Sequence, residues 1–319
     1  MRIAFASCMF TREFADQPVW AWIAAQAPDH LVLLGDSIYL DLKTAVHPRD
    51  MTDTDFAEHL HALYGELLAQ PQFAALVRSL PAGQVHTIWD DHDFLWNDAL
   101  GAEMHPVHSE KLRLSTAFHE AYREALAGQL APGSFPATAL DARFWDPQQP
   151  SLTTPSLDLG GDVHLHLTDG RSFRTRTWLL GEARRTLFGA AQRNSFAQAF
   201  AAAPQAVHLW ASGSTLAGYQ RYATDWSWLL QQAAQQRVLV LSGDIHRNQV
   251  DAFHTGGFPL HEATSSGAAV RDAVIVGAAR RNYGLLDIDA QTVRWRLFKG
   301  NQSQAALART IDRQTWLPV

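Results

Sequence analysis

Apolar residues return along this chain with two different periods. Short apolar runs at 2–6, 31–34 and 85–89 read as buried strands. Between them the apolar positions recur every three or four residues. Over 16–26 the residues Trp20, Ile23, Ala24 and the adjoining Ala27 share one helical face, and Pro28 stops the element. Over 52–69 the residues Phe56, Leu60, Leu63, Tyr64 and Leu67 do the same, with Thr52 or Asp53 as N-cap. A further helix near 72–79 leads through Pro81-Ala82-Gly83 into the third apolar run.

Residues 109–127 are helical again, and 132–155 is loop-like, rich in Pro, Gly and Gln. After Gly160 the period falls to two. Val163, Leu165 and Leu167 alternate with His164 and His166, and 173–180 follows, which predicts two strands. The two histidines point to one side of their strand, and with no further donors nearby they read as solvent-facing. A helix at 190–203, a strand at 206–210, a helix at 226–235 and a strand at 237–241 come next, and 283–289 with 292–298 forms a hairpin. Neither repeats nor a long linker interrupt this order. It predicts one layered α/β domain over 1–319, with helical insertions at about 42–80 and 105–130 and a β-rich second half.

Composition narrows the function classes. Hydrophobic residues at 47% and charged residues at 18% are those of an ordinary globular chain with ample core. The net charge of −6 argues against a nucleic-acid or anionic-membrane surface, both of which need a basic face. The 11 Trp are scattered, as core or pocket walls are. No apolar run reaches 18 residues and the N-terminus carries no leader-like segment, so a cytoplasmic location is expected. The single cysteine, Cys8, excludes an internal disulfide, and taken alone reads as a small buried hydrophobe.

The chemistry gathers where strands end. The four ends are Ser7-Cys8, Gly35-Asp36 with Tyr39, Asp90-Asp91-His92-Asp93 with Asn97, and Gly243-Asp244-Ile245-His246. Three carboxylates and an imidazole in four consecutive residues need a compensating positive charge, and a cation is what carboxylate oxygens bind best. In open α/β sheets the site lies outside the carboxyl ends of the strands. Gly35 and Gly243 let the chain turn at once, so that the next Asp faces the same crevice. One such Asp is a turn or cap residue; four matched strand ends point to a metal site.

These segments resemble the alkaline phosphatase D (PhoD-like) branch of the calcineurin-type metallophosphoesterases. The matching stretches are Phe5-Ala6-Ser7-Cys8, Leu34-Gly35-Asp36-Ser37-Ile38-Tyr39-Leu40-Asp41, Trp89-Asp90-Asp91-His92-Asp93 with Asn97, and Leu241-Ser242-Gly243-Asp244-Ile245-His246. Thr168-Asp169-Gly170-Arg171 with Arg174, Gly189 to Gln192, Ser265-Ser266-Gly267 and Tyr283 to Asp289 add weaker matches in the same order. The resemblance implies a four-layer α/β/β/α sandwich in which two mixed β-sheets lie between helices. It also implies Fe3+ held by Cys8, Asp36, Tyr39 and His246, with Asp36 bridging to Ca2+ ligated by Asp91, Asn97 and Asp244. Mn2+, Zn2+ or Mg2+ are the alternative ions. Thiolate and phenolate donors suit a trivalent ion and carboxylate and amide oxygens suit calcium. Asp91, rather than Asp90, is assigned by matching it to the Asn before the catalytic His of the wider superfamily.

The implied activity is hydrolysis of phosphodiesters or phosphomonoesters by in-line attack of a metal-bound hydroxide. His92 is the candidate general acid, or else a hydrogen-bond partner of a ligand carboxylate. Arg171 is the candidate clamp on the substrate phosphate, whereas Arg174 reads as solvated. The family's secretion leader and additional N-terminal β-domain are not seen in this chain, from which an internal substrate is expected. Two rival readings remain. In an SGNH-type serine esterase Ser37 would be the nucleophile, His254 the base and Asp251 its orienter. In the other, the metal site binds phosphate esters without turnover.

Overall fold

The computed structural model describes residues 1–147, 153–176 and 185–319. Strands β1 (Arg2–Ala6), β2 (His30–Leu34) and β3 (Val85–Ile88) are parallel neighbours. They are joined on the other edge of β1 by the antiparallel β12 (Asn282–Ile288) and β13 (Thr292–Lys299), the predicted C-terminal hairpin. β14 (Gln302–Ser303) and β15 (Arg309–Asp312) both pair with β13 and complete this first sheet. The second sheet runs in the order β4 (Ser156–Asp158), β5 (Val163–Leu167), β6 (Val207–Ser212), β7 (Arg237–Ser242), β9 (Leu260–Ser265), β8 (Asn248–Phe253). Its strands from β5 through β9 along this order are parallel, and β4 and β8 are antiparallel edges. β10 (Val270–Ala273) and β11 (Val276–Arg280) form a separate two-stranded ribbon.

Strand alternation assigns each side chain to a layer. Ile3, Phe5, Val32 and Leu34 of the first sheet pack against Leu165, Leu209, Leu239 and Leu241 of the second, which makes the central core. Ala4, Ala6, Leu31 and Leu33 point the other way, onto α1 (Val19–Ala24), α2 (Asp53–Leu68), α3 (Pro71–Ser79) and α5 (Gly101–Ala127). Trp210, Val238 and Val240 meet Phe196, Phe200 and Leu229 of α6 (Gly189–Ala202) and α8 (Ala223–Gln235). Short α4 (Asp91–Phe94) and α7 (Leu216–Tyr219) sit at strand exits. The result is the four-layer α/β/β/α sandwich with two mixed sheets.

Most predicted elements are present, with shifted ends. The helix expected over 16–26 spans Val19–Ala24, and Thr52 caps α2 by accepting from Asp55 N at 3.1 Å. α5 begins eight residues earlier than 109, running through Pro106 with a kink at His108, whose φ is −131°. The strand expected over 173–180 is not found in its described part, where only Thr175 forms an isolated bridge with Thr186; 177–180 lie outside the described residues, as do 148–152 of the expected loop.

His164 and His166 correct the expectation of a solvent-facing pair. His166 is fully buried between Phe196, Phe200 and Trp210, and His164 is half-buried. The outer face of the second sheet is covered by helices, so polar alternation there does not mean exposure.

Candidate active site

The parallel strands of both sheets carry their carboxyl ends to one edge of the sandwich, and the residues beyond them meet there. Beyond β1, Ser7 O accepts from the amides of Gly267 and Ala268, and Cys8 N donates to Gly35 O at 3.2 Å. Gly35, beyond β2, has φ +88°, and a Cβ there would lie 2.7 Å from Asp90 Cβ, so only glycine fits. Gly243 differs from the expectation. Its requirement is close approach, since a Cβ would lie 2.7 Å from Ser7 Oγ, and the left-handed turn falls on Asp244 instead, φ +74°. Cys8 (φ +62°), Asp36 (φ +52°) and His246 (φ +52°) share that costly backbone. Each such residue costs of order 1–3 kcal/mol, a concentration of strain found where geometry serves function.

Cys8 Sγ lies 3.3 Å from Asp36 Oδ2 and 3.2 Å from Ser266 Oγ, and the Tyr39 hydroxyl is 3.5 Å from Asp36 Oδ2. One potential donor atom each from Cys8, Asp36 and His246 falls within 4.8 Å of the others, and so does one each from Asp36, Asp91 and His92. Asp36 is common to both groups. Its Oδ1 is buried with no hydrogen-bond partner among the described residues. Burial, reinforced by Cys8, holds the Asp36 carboxyl well above the usual carboxylate range, and burial pushes the Cys8 thiol to about 11 and the Tyr39 phenol well above its usual range. Donors that ionise only with a compensating positive charge, packed round an orphaned carboxylate oxygen, have the chemistry of a metal-binding group. At His246, Nδ1 is 3.1 Å from Asp272 O. A carbonyl only accepts, so Nδ1 carries the proton and Nε2 is left as the ring's acceptor.

The acidic cluster divides by role. Asp93 Oδ1 accepts from Ser37 N (2.7 Å) and Ile38 N (3.1 Å), and its Oδ2 accepts from Asp90 N (2.9 Å), which ties the ends of β2 and β3 together. Asp90 is neutralised by Arg171, whose Nε donates to Oδ1 at 2.5 Å, so part of the compensation expected of a cation comes from a side chain 81 residues away. Asp91 Oδ1 lies 3.2 Å from Arg171 Nη2, and its Oδ2 accepts from Asp98 N at 2.6 Å. Burial acts to raise Asp91, but Arg171 and His92 outweigh it and hold the carboxyl at about 2. Asp91, the exposed Asn97 and Asp244 line one cavity of 270 Å³ together with Arg171 and Arg174.

His92 Nδ1 lies 2.6 Å from Asp41 Oδ1, and the His92 ring is 4.4 Å from that of Tyr39, centroid to centroid. Burial acts to lower the imidazole, but Asp36, Asp41 and Asp91 together raise it to about 10. Arg171 is positioned by Asp169, whose Oδ1 accepts from Arg171 N, Ser172 N and Trp89 Nε1 at 2.8–3.0 Å. Arg174 corrects the expectation of a solvated side chain. It is 6% exposed, donating from Nε to Gly170 O and from Nη2 to Ser214 Oγ, both at 2.7 Å.

Asp41, Ser266 and Ser214 received no role from the sequence, although Asp41 and Ser266 lie inside motifs it singled out. Ser214 follows a strand without a motif and only tertiary contact reveals it. The serine-esterase residues do not assemble. Ser37 is fully buried beyond β2, Asp251 sits on edge strand β8 bound by Gln249 Nε2, and His254 is exposed, with no hydrogen bond joining the three.

Against known proteins, the chain aligns with a solved structure of PhoD over 100% of its own length and 71% of that chain, with a TM-score of 0.66 and 14% identity. Identity this low speaks for the fold alone. Zinc-bound Vps29 from Entamoeba histolytica matches 98% of this chain and 99% of its own at 9% identity, with a TM-score of 0.38 that adds nothing to the assignment. No curated protein sequence matches. The family model described as PhoD-like phosphatase matches residues 3–277, and the chain therefore belongs to the PhoD-like phosphatase family.

Proposed function

We propose that this protein is a metal-dependent phosphoester hydrolase acting on phosphodiesters or phosphomonoesters. The observation that carries the reading is Asp36, shared between two donor groups with one oxygen buried and unpartnered. Cys8, Asp36, Tyr39 and His246 would hold Fe3+, and Asp91, Asn97 and Asp244, with Asp36, would hold Ca2+; Asp90 gives Oδ1 to Arg171, and its buried Oδ2 has no partner among the described residues. Such ions, when bound, polarise phosphate oxygens and make water a nucleophile near neutral pH.

The chain's own residues supply the rest. Arg171 keeps Nη1 buried, without a partner among the described residues, after satisfying Asp90, and offers it to a phosphate oxygen. His92 gives its Nε2 proton to the leaving alkoxide, while Asp41 fixes the ring and receives the Nδ1 hydrogen bond. Ser266 holds Cys8 and His246 in register by one hydroxyl, 3.2 Å from Sγ and 2.9 Å from His246 N.

The test combines the visible spectrum, elemental metal content and hydrolysis of bis-p-nitrophenyl phosphate by protein purified without chelator. A charge-transfer band lost in Tyr39→Phe, with turnover lost to chelator and restored by calcium, is the expected result. A colourless protein that cleaves carboxylic esters would overturn it, and metal without turnover of any phosphate ester would leave only a binding role.

A further inference from the structure

Resting on the hydrolase reading, we infer that the cavity beside the scissile-phosphate position takes a second phosphoryl group of the same substrate, which makes the substrate a short bisphosphorylated molecule. The cavity of 270 Å³ is lined by the carboxylates of Asp91, Asp98 and Asp244 and by four guanidiniums, those of Arg171, Arg174, Arg176 and Arg221. Its guanidiniums are not equally compensated. Arg171 is matched by Asp90 and Asp91, and Arg176 by Asp98 at 2.7 Å. Arg174, although buried, is held by a carbonyl and a hydroxyl and rests over the Tyr222 ring at 5.8 Å, with no carboxylate bonded to it. The Arg221 side chain is exposed and has no partner among the described residues.

A buried guanidinium without a bonded counterion is costly in the free protein, and the cost is recovered when an anion enters. Burial and the adjacent Arg171 both work against the charge of Arg174, in line with that cost. The exposed Arg221 fork, with the donors of Arg174 and Arg176 beyond those given to Gly170, Ser214 and Asp98, suits the oxygens of a second phosphoryl group. The arginine-rich polar lining favours two phosphoryl groups joined by a few atoms.

The test measures binding by calorimetry and turnover side by side, with 1,3-propanediol bisphosphate against propyl phosphate. The expected result is about tenfold or greater preference for the bisphosphate, collapsing in the Arg176→Ala/Arg221→Ala variant. Single variants Arg176→Gln and Arg221→Gln guard against a folding defect, since each should lose part of the preference. Equal binding of the two ligands, or a preference that survives in the double variant, overturns the inference. Preferential binding without turnover of any phosphoester upholds the cavity and removes the hydrolase reading; turnover of bis-p-nitrophenyl phosphate with equal binding of the two ligands does the reverse.

Discussion

Asp41 Oδ1 and His92 Nδ1 stand 2.6 Å apart with both side chains under a tenth exposed, and Asp41 Oδ2 accepts from Asn97 N at 2.9 Å. One carboxylate thus orients the imidazole and anchors the loop that follows it. If His92 protonates the leaving group, Asp41→Asn lowers kcat by about 10- to 100-fold, as loss of an orienting partner does. The loss should be larger for alkyl phosphate esters than for p-nitrophenyl esters, whose leaving group needs no proton. Equal losses on both, measured as kcat, would remove His92 from the acid role.

Arg171 and Asp90 form an ion pair with each side chain 3% or less exposed. Arg171→Ala leaves a buried uncompensated carboxylate and should cost about 3–5 kcal/mol of stability. Adding Asp90→Asn neutralises that charge, so the double variant should recover most of the stability in denaturant unfolding while turnover stays lost. Recovery of turnover along with stability would show that Arg171 acts only as scaffolding.

The strand ends were legible because their strands are buried on both faces and read as apolar runs broken by Gly, Ser or Asp. β8 and β9 were not. β8 is a half-buried edge. β9 is fully buried but carries His261 and Glu262, which are satisfied from afar: His261 Nε2 bonds Trp316 O, and Glu262 Oε1 accepts from Ser242 Oγ and Leu216 N. Pattern reading sees polar residues and cannot see partners 20 to 55 residues away. The same blindness hid Arg174 and His166. Metal-type donors, in contrast, advertise themselves, because Cys8, Asp36, Asp91 and His246 each sit at or within three residues of an apolar strand end or its glycine.

The buried histidines give a pH prediction away from the site. Ser156 Oγ is 2.8 Å from His166 Nδ1, His166 Nε2 is 2.9 Å from His208 Nδ1, and His208 Nε2 is 3.0 Å from Ala203 O. The terminal carbonyl sets the tautomers of the neutral row, and a second proton would have to turn the Ser156 hydroxyl from donor to acceptor. Burial lowers His208 from 6.5 to about 4 and His166 well below its usual range. The unfolded chain then binds protons that the folded chain refuses, so this contribution is intact above about pH 6.5 and is lost as pH falls towards about 4. Denaturant midpoints at pH 7.5 and 4.5 should converge in His208→Gln relative to the parent protein; a parallel drop in both would assign the acid loss to other groups.

Gly243 shows how tightly the two sheets are joined at the site. A Cβ there would lie 2.7 Å from Ser7 Oγ, 2.9 Å from Ser7 Cβ and 2.9 Å from Leu34 O, atoms at the ends of β1 and β2. Gly243→Ala must therefore push the end of β7 away from both strands, at about 1–3 kcal/mol for such overpacking. Cys8 follows Ser7 directly, and Asp36 is two residues beyond Leu34, while Asp244 and His246 follow Gly243, so the displacement separates the proposed metal donors of one sheet from those of the other. Metal retained per chain should fall more steeply than Tm. Ser7→Gly removes two of the three obstructing atoms and should return part of both quantities to the Gly243→Ala protein. A Gly243→Ala protein with unchanged metal content would mean that the donors do not depend on this junction.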